Sequence, residues 1–244
     1  MKKALVTVAL AQAVFILLLR LASLFGGALY YAVYALAFLL PASVALYVNR
    51  RELSPNRFIR LGKRAAILSI PLVPITIFLV VITSVFTTLI LNYFGISEVV
   101  TLQGSLPVAI VIYALLPAFF EEIIFRYLPL RLMSHISARY TVLLSALLFA
   151  VAHLNPFHIA YAFVAGAMFM MLDIMADSVI PSMVIHFINN ALSVVSFFLQ
   201  DTPLFVAVYL PTLLVLSVAA GIFMFFMRGE YARVFKEKLI FDNL

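Results

Sequence analysis

Apolar stretches long enough to cross a membrane follow one another from Ala4 to Met227, and no other feature constrains the fold so tightly. A hydrocarbon core about 30 Å thick is crossed by about 20 helical residues. Eight stretches are read: Ala4–Leu19, Gly27–Val48, Ala65–Leu91, Leu106–Phe125, Tyr140–Leu154, Ile159–Leu172, Val179–Leu199 and Leu204–Met227. The fifth and sixth are the shortest. Interior prolines (Pro71, Pro74, Pro211) suit helices whose lost backbone bonds are met by neighbours. The stretches are also too long and too uniformly apolar for barrel strands, which alternate at every second residue. The expected fold is all-α, a polytopic bundle of about eight transmembrane helices. Composition agrees: 66% of the 244 residues are apolar and 11% charged, against about 45–50% and about 25% in soluble domains. Without Cys the chain has no disulfide framework, no Cys-ligated metal site and no thiol chemistry.

The net charge of +6 is distributed with a period. Lys and Arg gather at Lys2–Lys3, at Arg50, Arg51, Arg57, Arg60, Lys63 and Arg64, at Arg126, Arg131 and Arg139, and at Arg228, Arg233, Lys236 and Lys238. Segments 93–104, 155–158 and 200–203 carry none. By the positive-inside bias, both termini and the loops near 49–64 and 127–139 are expected in the cytoplasm. Arg20 alone breaks the pattern, either snorkelling to the interface or marking a broken first hairpin. The start, MKKALVTVALAQAVF, reads as a retained signal anchor because further spans follow. The basic stretch 50–64 reads as a topology determinant against anionic lipid, so no nucleic-acid partner is expected. No internal repeat or linker divides the chain, and residues 1–244 are expected to form one membrane domain with a chemistry-bearing core at about 106–199.

Ionisable groups at membrane depth are expensive and mark function by default. Three clusters qualify. In Glu121-Glu122-Ile123-Ile124-Phe125-Arg126, Glu122 and Arg126 stand four apart on one helical face and can pair, whereas Glu121 points about 100° away without a local cation. A carboxylate so placed in a poorly solvated cavity is suited to serve as a general base. The plainer reading is that the three mark the cytoplasmic end of the fourth span. In Phe149-Ala150-Val151-Ala152-His153 a lone His ends an apolar stretch, either as a catalyst or as a satisfied structural residue. In His186-Phe187-Ile188-Asn189-Asn190, His186 and Asn190 share a face and can aim donors at one point, or glue helices together. Taken jointly, a free Glu, two His and an Asn on three apolar helices are the inventory of a hydrolase: a base, a water-binding group and donors for an oxyanion.

Other intramembrane proteolytic chemistries lack their residues. There is no His-Glu-x-x-His, no Gly-x-Gly-Asp and no Gly-x-Ser loop, since Gly104-Ser105 is adjacent and opens a span. Asp173 and Asp177 are expected in a short cytoplasmic loop as solvated caps, and His135 on a basic surface loop. His158 is expected at the interface, near His153.

These residues resemble the CPBP family of intramembrane proteases, which includes type II CAAX prenyl endopeptidases and bacteriocin-processing, Abi-like proteins. Glu-Glu-x-x-x-Arg is Glu121, Glu122 and Arg126; Phe-x-x-x-His is Phe149 and His153; His-x-x-x-Asn is His186 and Asn190. The resemblance covers about 115–191 and implies a peptidase. In it Glu121 and His153 activate a water, His186 and Asn190 stabilise the oxyanion, and Glu122, Arg126 and Phe149 give structural support. It implies either a metal-free glutamate mechanism or a zinc ion on Glu121, His153 and His186. It further implies a membrane-associated substrate, with prenylated CAAX-type peptides among the candidates, and the expected setting is a prokaryotic plasma membrane with the site toward the cytoplasm. Alternatives from other classes are a proton- or cation-coupled transporter and a non-catalytic scaffold. Inverted repeats, which would point to transport, are not evident. One geometric strain remains at this level. Glu121 falls about 22 Å below an outer start at Leu106 and His153 about 20 Å above an inner start at Tyr140, a mismatch of about 12 Å that a longer fourth helix or a deeper fifth would remove.

Overall fold

The structure is a computed structural model describing residues 2–51, 53, 59–133, 136–200 and 202–240. His135 and Arg57 lie outside the described residues. Among those described there is no strand, and eight apolar helices run in order: α1 (Lys2–Ala22), α2 (Gly27–Val48), α3 (Lys63–Tyr93), α4 (Leu106–Leu132), α5 (Ala138–Ala152), α6 (Pro156–Ala176), α7 (Ile180–Leu199) and α8 (Pro203–Phe226), followed by the short polar helix α9 (Arg228–Phe235). Seven of the eight are long enough to cross a membrane; α5, at 15 residues, is not. At 1.5 Å per residue it rises about 22 Å and leaves its C-terminal turn about 8 Å short of the far side of a 30 Å core. The expectation of about eight spans therefore resolves into seven and a shorter helix. α1 and α2 are two separate helices, and Arg20 lies exposed in the last turn of α1, where a cation complements the helix dipole.

α6 is the central helix, packing on α5, α3 and α7, while α4 packs on α7, α1 and α2. The α5–α6 contact depends on Gly166: a Cβ there would stand 2.9 Å from the Ala146 Cα and 3.3 Å from the Phe149 ring. Backbones approach so closely in membranes because, without a hydrophobic drive between helices, packing of small residues supplies the attraction. α3 turns at Ile70–Pro71 before continuing from Leu72.

α4 does not end at Phe125. It continues to Leu132, carrying Arg126 and Arg131 into buried positions. Two five-residue π-helical segments, Val111–Leu115 and Ile123–Tyr127, bracket the two glutamates. Such wide turns are rare and recur at functional sites. Within the second, two carbonyls accept from neighbouring helices: Gln12 of α1 donates Nε2–H to the Ile124 oxygen at 3.3 Å, and Ser145 of α5 donates its hydroxyl to the Phe125 oxygen at 2.7 Å. Aromatic contacts Phe15–Phe125 and Phe38–Phe120, both at 5.4 Å, hold the same stretch against α1 and α2.

The basic ends converge. Arg64 at the start of α3 pairs with Glu230 of α9, and Lys238 pairs with Asp177 after α6 at 2.7 Å. Asp177 ends α6 in a left-handed conformation (φ 50). Asp173, expected in a solvated loop, is instead fully buried inside α6. Helical periodicity runs through it, and its carboxylate accepts the backbone N–H (3.1 Å) and hydroxyl (2.6 Å) of Ser182 at the start of α7. It caps a helix, in the dry interior rather than in water.

Candidate active site

Glu122 sits between two partners. Its Oε2 lies 3.2 Å from Arg126 Nε, both side chains being wholly buried, and its Oε1 accepts from His186 Nδ1 at 2.7 Å. A carboxylate only accepts, so Nδ1 carries the proton in that bond and the opposite ring nitrogen points onward. That nitrogen, Nε2, stands 3.8 Å from Glu121 Oε2. The two adjacent glutamates thus approach opposite edges of one imidazole. Glu122 is sealed, whereas the Glu121 side chain keeps 19% of its surface open.

The Arg126 guanidinium lies over the faces of Phe149 and Phe169, with Cζ 4.1 Å and 5.2 Å from the ring centroids. Nε, Nη1 and Nη2 have no hydrogen-bond partner among the described residues, so the ion pair and the two rings are what offset burial of the charge. Phe149 is the hub: its ring is 4.9 Å from His153 and 5.8 Å from His186, centroid to centroid, and its carbonyl accepts His153 Nδ1–H at 2.8 Å. That bond fixes the tautomer and leaves Nε2 of His153 with a free lone pair.

Structure therefore brings Glu121, Glu122, Arg126, Phe149 and His186 into one cluster and joins His153 to it through Phe149. It gives Asn190 no bond to Glu121, His153 or His186 among the described residues; the Asn190 Oδ1 accepts from Asn189 at 3.2 Å. Among the described residues no three His, Asp or Glu side chains are grouped where one ion could be held; the Phe149 ring touches both His153 and His186. The depth mismatch narrows from about 12 Å to about 6 Å, because α4 runs on to Leu132 and so carries Glu121 about 16 Å from that end, against about 22 Å for His153 above Ala138.

Sequence reasoning missed several neighbours. Tyr34 of α2 and Tyr161 of α6 are electrostatic neighbours of Glu121, and Asp173 of Glu122 and Arg126. Continuing the apolar period of α6 to Met175 would have found Asp173; nothing in the run around Tyr34 singles it out. Glu98, the one charged residue of segment 93–104, was also passed over. It accepts from the Asn155 amide and lies 3.4 Å from His158 Nε2, so His158 is a paired residue at a loop contact. An apolar cavity of about 660 Å³ touches Ile188 and Leu192 of α7 together with Pro74 and Leu213. Ile188 is turned about 200° from His186 along the helix, so that cavity faces away from the cluster.

Residues 103–192, which contain every member of the cluster, match the family model described as Type II CAAX prenyl endopeptidase Rce1-like. No curated protein and no solved structure gives a significant match. The signature order, the apolar helices and this match together support membership of the CPBP family of intramembrane proteases.

Proposed function

We propose that the chain, acting as one integral-membrane domain, hydrolyses a peptide bond in a membrane-associated substrate, of which a prenylated CAAX-type peptide is the first to test, with Glu121 as the general base. The observation that carries this reading is the Glu121–His186–Glu122–Arg126 array: two glutamates at opposite edges of one imidazole, one locked by a buried cation and the other partly open.

Water enters beside Glu121, which takes its proton as oxygen attacks the scissile carbonyl. His153 acts as a neutral imidazole, its Nδ1–H on the Phe149 carbonyl, and its Nε2 accepts the water's second hydrogen and orients it. Charge develops on the carbonyl oxygen, toward which the Asn190 amide and His186 Nε2 are assigned as donors. His186 fills that role with both ring nitrogens protonated, Nδ1–H remaining on Glu122. Glu121 then returns its proton to the leaving amine. Glu122 and Arg126 hold the His186 ring at its angle, and Phe149 carries both Arg126 and His153. No step is routed through a metal, because the donors do not converge on one.

The basic ends set the orientation. With them inward in a prokaryotic plasma membrane, His186 lies about 9 Å and Glu121 about 16 Å from the cytoplasmic ends of their helices, the first in the cytoplasmic half and the second near the middle of a core about 30 Å thick. The test is cleavage of a prenylated CAAX peptide and an unprenylated transmembrane peptide by purified protein in lipid nanodiscs, with Glu121→Ala alongside. The expected result is a rate lowered about 10²- to 10⁴-fold in the variant. Equal rates remove Glu121 as base; absence of cleavage together with ion flux in proteoliposomes replaces hydrolysis by transport.

A further inference from the structure

Accepting that reading of the cluster, we propose that Glu98 is a positioning residue for His153. His153 stands at the end of α5, the helix too short to reach the far surface, and the chain reverses there within His153-Leu154-Asn155-Pro156. Leu154 in this turn has φ +50, a left-handed conformation that a bulky side chain adopts only where its surroundings enforce it. Two attachments enforce it. Asn155 caps α6 by accepting the Phe157 N–H at 2.9 Å, and the same Asn155 gives its amide to the Glu98 carboxylate.

Glu98 arrives from a distant part of the chain. The irregular segment between α3 and α4 is tied down at its other end, where the Gln103 N–H reaches the Tyr113 hydroxyl at 3.4 Å. Besides Asn155, Glu98 meets His158 Nε2 at 3.4 Å. The His158 ring in turn lies 5.9 Å from His153 and 5.3 Å from Tyr161, which is 6.3 Å from His153. One carboxylate therefore holds both the turn that follows His153 and the His158 ring beside it. A carboxylate in an otherwise uncharged segment, placed on two polar side chains of a strained turn, works as a clasp on the side of the site away from the basic ends. Without it the turn relaxes and the Nε2 lone pair of His153 leaves the line toward the water.

Histidine-specific NMR tests this independently of activity. The chain has four His, so imidazole signals of ¹⁵N-His-labelled protein in micelles are assigned by single His→Gln variants. In Glu98→Ala the His153 and His158 signals shift while that of His186, held by Glu122, stays. Glu98→Gln keeps an acceptor oxygen for Asn155 and leaves His153 at its original position. On a cleaved peptide, Glu98→Ala lowers kcat about ten- to a hundredfold with KM within about twofold, and Glu98→Gln restores most of it. A His158 signal that moves alone, or an unchanged kcat, overturns the proposal. If wild type cleaves nothing, the peptidase reading fails while the NMR result still decides the clasp. Should Glu98→Ala not fold, Asn155→Ser, which keeps the cap and withdraws the amide, is read the same way.

Discussion

α6 and α8 are similarly apolar helices of membrane-crossing length, yet 39% of the α6 window is buried inside the protein and only 11% of the α8 window. α6 carries a glycine pressed on a neighbouring backbone, a buried Asp and a Phe under a guanidinium. α8 presents Val208, Leu214, Val215 and Val218 outward. Hydropathy measures compatibility with lipid and is blind to what a helix faces. The difference shows only in small and polar residues, which lipid-facing positions do not need and helix contacts do.

Three substitutions sharpen this contrast. The largest effect is expected at Arg126→Ala, which strands the Glu122 carboxylate at 0% exposure; loss of one partner of a buried pair costs about 3–5 kcal/mol. Thermal unfolding in detergent should fall steeply and recover in part when Glu122→Gln is added; an unchanged melting temperature would sink the structural role of the pair. Next is Gly166→Ala, whose added Cβ meets the Ala146 backbone at 2.9 Å and must spread α5 from α6. Overpacking of this kind costs about 1–3 kcal/mol, and the displaced Phe149 should lower peptidase activity as well; a variant as stable and active as wild type would show that the contact is slack. The smallest is Val215→Ala on the outward face of α8, expected within about 0.5 kcal/mol of wild type. A larger loss there would reveal a packed partner and erase the distinction between the two helices.

The site divides along the same line. The i,i+4 spacing of Glu122 and Arg126 and the apolar setting of His153 and His186 are local facts, so they could be read from one dimension. That Glu122, rather than an oxyanion, takes the inner nitrogen of His186 required knowing that α7 lies against α4 at that height. Phe149, named for a signature, turned out to be the surface on which a guanidinium and two imidazoles rest. Glu98 stayed hidden because it meets Asn155 from 57 residues away.

Composition and spacing alone determined the helical membrane fold, the order of its spans and the identity of the polar residues, because lipid penalises every unsatisfied backbone group and every charge without a use. Tertiary structure decided which carboxylate is locked and which is open, how far α4 and α5 extend, and that Asp173 is dry. Those outcomes depend on distances between helices, and such distances follow from side-chain packing that no single segment encodes.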